Sequence, residues 1–184
     1  MKKILFIMAM LPLLGACQTG TQANGGISEA PLPENPSMNV TIREFIPFKK
    51  DARISPNIKA ECIINEQLSN FIRTYGSENN IAVNRVDSIN TAGEGHVLSV
   101  EIVDAVSRGN PFLGHRKFTE VSGTLYENGK EVASFTAARF SGGGAFGGFK
   151  GSCSVLGRTV KALGKDIAFW LEDPIDGQHL GDSV

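Results

Sequence analysis

KFTEVSGTLYENGKEVASFTAARFS, residues 117–141, decides the fold. Asn128-Gly129 sits at its centre, and Asn-Gly between two alternating stretches is the strongest short-range hairpin signal. A two-residue turn of this kind needs positive φ at both positions, which Asn and Gly tolerate. Lys117–Glu127 and Glu131–Ser141 are therefore expected as paired strands. Val121, Gly123 and Leu125 fall on one face of the first, and Ala133, Phe135 and Ala137 on one face of the second.

Upstream, the same alternation predicts a strand over His96–Val106, with Leu98, Val100 and Ile102 on one face, and a short strand over Ile81–Val86. Asp87–Glu94 has turn composition, and Ser107–Arg116, built around Gly109, Pro111 and Gly114, reads as a loop. A first strand starts at Met38. There Val40, Ile42, Ile46 and Phe48 alternate with polar residues, and Pro47 marks an edge or a strand end.

Two stretches have helical spacing. Ser55-Pro56 suits a helix start, since Ser can cap and Pro fits the first position. Ile64, Leu68, Phe71, Ile72 and Tyr75 then recur on one face up to Gly76, so a helix is expected over Pro56–Tyr75. The second runs over Ser152–Leu171, with Cys153, Leu156, Val160, Leu163, Ile167 and Leu171 as its stripe. Gly157 and Gly164 interrupt it at about 1 kcal/mol each relative to Ala, which implies close backbone packing against the first helix or the sheet. Asp173-Pro174 ends the helix before a polar tail. The expected order is β-α-β-β-β-β-α: an α+β two-layer sandwich of about five mainly antiparallel strands and two amphipathic helices.

The chain opens with MKKILFIMAMLPLLGAC, residues 1–17. Two lysines, an apolar run from Ile4 to Leu14 and small residues before Cys17 have the layout of an export signal. The run is shorter than the roughly 20 residues a bilayer span needs. Gln18–Ser37 is mostly Gly, Pro, Ser, Thr, Asn and Gln, which suits a disordered tether. Twenty such residues have a root-mean-square reach of about 25 Å. The expected organisation is a signal at 1–16, a lipidated cysteine and tether at 17–37, one folded domain at 38–174 and a tail at 175–184.

With the signal removed, 16 Lys and Arg face 19 acids, so the mature chain is near −3 and has no basic patch for nucleic acid. No second apolar run approaches a membrane span. If Cys17 is lipidated, Cys62 and Cys153 remain as an even pair in an oxidising compartment. On one continuous helix Cys62 would lie roughly 150° from the Ile64 stripe, which argues mildly against a bond, although Ile58 and Cys62 make a second small stripe that could face the other helix. The compartment outweighs the geometry, and a Cys62–Cys153 disulfide is expected.

Catalytic signals are missing. Lys150 stands between Phe149 and Gly151, so the glycine-rich stretch 141–153 does not form a phosphate-binding P-loop. His96, His115 and His179 have no metal-ligand spacing, and there is no Cys-x-x-Cys or Gly-x-Ser-x-Gly motif. No nucleophile is paired with a base, so no catalytic residue, metal or cofactor is expected. Phe146, Phe149 and Lys150 in the glycine-rich stretch are candidates for contact with a partner or a membrane.

Leu14-Gly15-Ala16-Cys17 resembles the lipobox of bacterial lipoproteins, which implies cleavage before Cys17 and lipid attachment to its thiol. Lipoproteins of this kind with Gln rather than Asp after the cysteine move on to the outer membrane. The layout of residues 38–174 is similar to small α/β domains of envelope lipoproteins, such as the curli-secretion lipoproteins and the activators of penicillin-binding proteins. The resemblance implies a non-catalytic accessory or binding protein on the periplasmic face of the outer membrane. Its membrane contact would be the lipid anchor and its partner another envelope protein. The competing expectation is an oligomerising or membrane-perturbing lipoprotein that uses the Gly/Phe loop 141–151. Oligomeric state is left open.

Overall fold

The Asn128-Gly129 turn forms as expected, with φ of 51° and 82°. It joins β4 (Gly114–Glu127) to β5 (Lys130–Ser141), paired antiparallel with Val121 opposite Ala137 and Gly123 opposite Phe135. Gly123 leaves room for the Phe135 ring, which a Cβ at that position would meet at 2.4 Å. The computed structural model describes residues 29–110, 114–142 and 151–183 of the chain.

β4 pairs on its other side with β3 (His96–Asn110), antiparallel as far as Asn110 opposite Gly114. The expected loop over Ser107–Arg116 is therefore corrected: 107–110 and 114–116 continue the two strands. Glycines and polar residues suggested a turn there, yet a strand end beyond the core needs no apolar side chains to keep its ladder.

β1 (Met38–Arg43) lies parallel between β2 (Ile81–Val86) and β3. Past a bend after Arg43, Phe48 meets Ile102 in an isolated parallel bridge, so the expected first strand is shorter than its alternation suggested. The tail contributes a sixth strand, β6 (Gln178–Gly181), parallel to β5. The sheet order is β2-β1-β3-β4-β5-β6, and its two long ladders are antiparallel.

The expected first helix is two helices. α1 (Pro56–Glu61) is capped by Ser55, and α2 (Ile64–Glu78) follows after Cys62, which is extended at φ −107° and ψ 120°. That break resets the helical phase, so Ile58, Cys62, Ile64, Leu68 and Ile72 all turn inward while Ile63 is exposed. Gly76 lies inside α2 rather than ending it, and glycine is needed there for space, since a Cβ would come within 2.7 Å of Val83 Cγ2.

α3 (Ser152–Trp170) packs beside α2, and both helices cover one face of the sheet. The core between the layers gathers Val40, Ile42, Leu98, Ile102, Val121 and Phe135 from the strands with Leu68, Ile72, Leu156, Val160, Leu163 and Ile167 from the helices. The result is an α+β two-layer sandwich. Among the described residues no helix covers the sheet's other face, which carries Glu101, Ser122, Thr124 and Thr136. Residues 29–37, within the stretch read as tether, lie against the domain. Arg85 pairs with Glu29 at 2.6 Å, Arg73 Nε donates to the Ala30 carbonyl at 2.9 Å, and the Ser37 N–H donates to Asn80 at 2.8 Å.

Candidate functional site

Cys62 and Cys153 are joined by a disulfide with their Cα atoms 5.1 Å apart. The bond ties the α1–α2 break to the first turn of α3. The geometric objection drawn from one continuous helix disappears, because the extended backbone at Cys62 turns its sulfur toward α3. Cys17 and the loop residues Phe146, Phe149 and Lys150 lie outside the described residues.

Beside the disulfide is a cluster that sequence reasoning missed. Lys117 of β4 is only 2% exposed. Its Nζ donates to Ser107 Oγ of β3 and to Ser152 Oγ of α3, the latter at 3.3 Å, and Ser107 Oγ donates to Ser152 Oγ at 2.9 Å. Among the described residues no carboxylate pairs with Lys117. Burial pushes its ammonium below the usual lysine range. One row inward, Thr119 meets Thr159 of α3 at 2.7 Å. Strand parity held the signal, since Lys117 and Thr119 share the face of Val121, Gly123 and Leu125, but a lysine beginning a strand reads as a solvated end.

The inner sheet face thus changes from apolar to hydroxyl-bearing toward the N-terminus of α3. A cavity of about 260 Å³ opens there, walled by Ser107, Ser152, the disulfide, Ser55, Asn57 and Glu61. Because the lysine donates to both hydroxyls, the arrangement fits a donor fixed between β3, β4 and α3 better than a base waiting for a proton.

A second concavity, of about 250 Å³, lies at the other end of α3. Trp170 and Leu180 form its floor, and Phe169 and Ile175 stand at its edge with Asp166, Glu172 and Asp173. Trp170 is fixed by its Nε1–H donating to the Ile175 carbonyl at 3.1 Å and by an edge contact with Phe135, centroids 4.8 Å apart. Arg139 of β5 reaches Asp166 through two bonds of 2.7 Å and Asp182 at 3.0 Å, which locks β5, α3 and the chain after β6 together. Chiefly through the Asp166 hydrogen bonds, the Arg139 guanidinium is held above its usual pKa.

Among the described residues, no group of three or more His, Cys, Asp or Glu side chains could hold a metal ion, and no helix is long and apolar enough to cross a membrane.

No protein-family model matches the chain. No curated protein matches it either. Among solved structures, a minor lipoprotein from Acinetobacter baumannii aligns at 13% identity over 80% of this chain and 99% of its own, with a TM-score of 0.44. A DUF330 protein from Xanthomonas campestris aligns at 13% identity, covering 79% of this chain and 91% of its own, with a TM-score of 0.42. The PelC dodecamer from Paraburkholderia phytofirmans aligns at 12% identity over 75% and 93%, with a TM-score of 0.41. At these values the likenesses carry no conclusion about this chain.

Proposed function

We propose that the protein is a non-catalytic lipoprotein, anchored through Cys17 to the periplasmic face of the outer membrane, whose folded domain binds another envelope component. Cysteine usage carries this reading. With Cys62 bonded to Cys153, Cys17 is the only cysteine left over, and it stands where a lipobox places the lipidated residue. A bridge between the remaining two fits an oxidising compartment. The fixed donor role of Lys117 and the groove between α3 and β6 fit binding better than turnover.

The test is fractionation of cells producing the wild type or Cys17→Ser. The wild type is expected with the outer membrane, and the variant is expected to be lost from it. A variant that stays with the outer membrane contradicts the anchor. Crosslinking in the same cells is expected to trap the domain on one envelope component, and no specific crosslink contradicts the binding role.

A further inference from the structure

We infer that the groove between the end of α3 and β6 docks a partner segment that carries an apolar side chain flanked by lysine or arginine. The inference rests on the binding role proposed above and names the chemistry of the partner.

Phe169 is 70% exposed and Ile175 is 55% exposed, the two highest values among the described large apolar side chains. They are not scattered: both border one concavity, with the buried ring of Trp170 beneath them. Paired exposed apolar groups around a concave floor mark a place where water is easily displaced. The groove is also preformed. The Trp170 hydrogen bond fixes the backbone at Ile175, and Asp176 accepts a 2.7 Å bond from Ser134, which pins the segment to β5. A partner would therefore dock without first ordering the site.

Charge selects the occupant. Of the three rim acids, Asp166 is already paired with Arg139. Glu172 and Asp173 meet no cation among the described residues. Lys165, one turn before Phe169 in α3, is exposed and does not border the groove. The free charge beside the apolar floor is thus negative. It favours a cationic flank and repels an acidic peptide or an anionic lipid surface.

Trp170 is the chain's single tryptophan, so its fluorescence reads the groove directly. The test titrates the intact protein, held in discs of phosphatidylcholine, with the capped peptides Lys-Lys-Phe-Lys-Lys, Ser-Ser-Phe-Ser-Ser and Glu-Glu-Phe-Glu-Glu. The basic peptide is expected to shift Trp170 emission saturably, and the acidic one to leave it unchanged. Phe169→Ala should weaken the basic peptide about tenfold, and the double variant Glu172→Lys, Asp173→Lys should do so by a similar factor. Both act at exposed positions, and circular dichroism confirms that they fold. No response to the basic peptide, equal responses to all three peptides, or variants that bind as the wild type does would overturn the inference. The binding role is read separately by crosslinking in cells and the anchoring by fractionation, so failure here is distinct from failure of that reading.

Discussion

Gly164 of α3 faces Phe71 of α2 so closely that a Cβ at position 164 would stand 2.5 Å from the Phe71 Cβ. It would also lie 3.0 Å from the Phe71 carbonyl carbon and 3.1 Å from the Ile72 nitrogen. Neither backbone can turn away as a side-chain tip could. Gly164 therefore sets how near the two helices of the upper layer approach.

Gly157 lies two turns earlier, yet the nearest atoms a Cβ there would meet belong to the amide end of Gln67, the first at 3.2 Å. Gly164→Ala is expected to destabilise the domain by about 1–3 kcal/mol through overpacking. Gly157→Ala should be neutral or stabilise by up to about 1 kcal/mol, because Gln67 can move aside and alanine favours helix. Urea denaturation of the two variants checks this, and equal effects would contradict it.

The Cys62–Cys153 bond closes a 91-residue separation. In the chain-entropy picture such a loop contributes about 4–5 kcal/mol. The double variant Cys62→Ser, Cys153→Ser should lose a large part of that in chemical denaturation, with folding otherwise retained. A change below about 1 kcal/mol would show that the bond constrains little beyond what α2–α3 packing already fixes.

Lys117 is the costly member of its cluster. A buried ammonium without a carboxylate disfavours folding, and its lowered pKa means that the folded state binds fewer protons than the unfolded state in that range. The penalty is full below the lowered folded pKa and fades as pH rises toward the ordinary lysine value of 10.5. Lys117→Met is therefore expected to raise Tm by roughly 2–4 °C per kcal/mol gained near neutral pH. The gain should shrink as pH rises toward the ordinary lysine value. Thermal melts at neutral and alkaline pH read this, and a loss of stability at neutral pH would show that the two serine bonds outweigh burial.

Asp182 accepts from Arg139 at 3.0 Å and from the Phe140 N–H at 2.8 Å. Asp182→Ala should cost about 1–2 kcal/mol and release β6. Hydrogen exchange is expected to quicken at Gln178–Gly181 while β4 stays protected, and unchanged exchange at β6 would contradict that role.

Elements with a local signal were legible. The hairpin followed from Asn128-Gly129, and the α3 stripe from a period kept over nineteen residues. The helix break at Cys62 was not, since the stripe from Ile64 onward continues smoothly and only the inward turn of Ile58 and Cys62 demands a reset of phase. β6 was hidden because a four-residue edge strand needs one buried side chain, Leu180, and its ties run to β5, with Arg139 43 residues before Asp182. The Lys117 cluster and the groove are tertiary features. Ser107 and Ser152 are 45 residues apart, and nothing local to Phe169 announces that Ile175 will stand beside it.

Intact mass spectrometry of the protein extracted from native envelopes tests the central reading most directly. The predicted species starts at Cys17, carries the lipid's added mass on that residue, and is two hydrogens lighter than the fully reduced chain because Cys62 and Cys153 are bonded. An unlipidated chain, or a lipidated one with two free thiols, would contradict it.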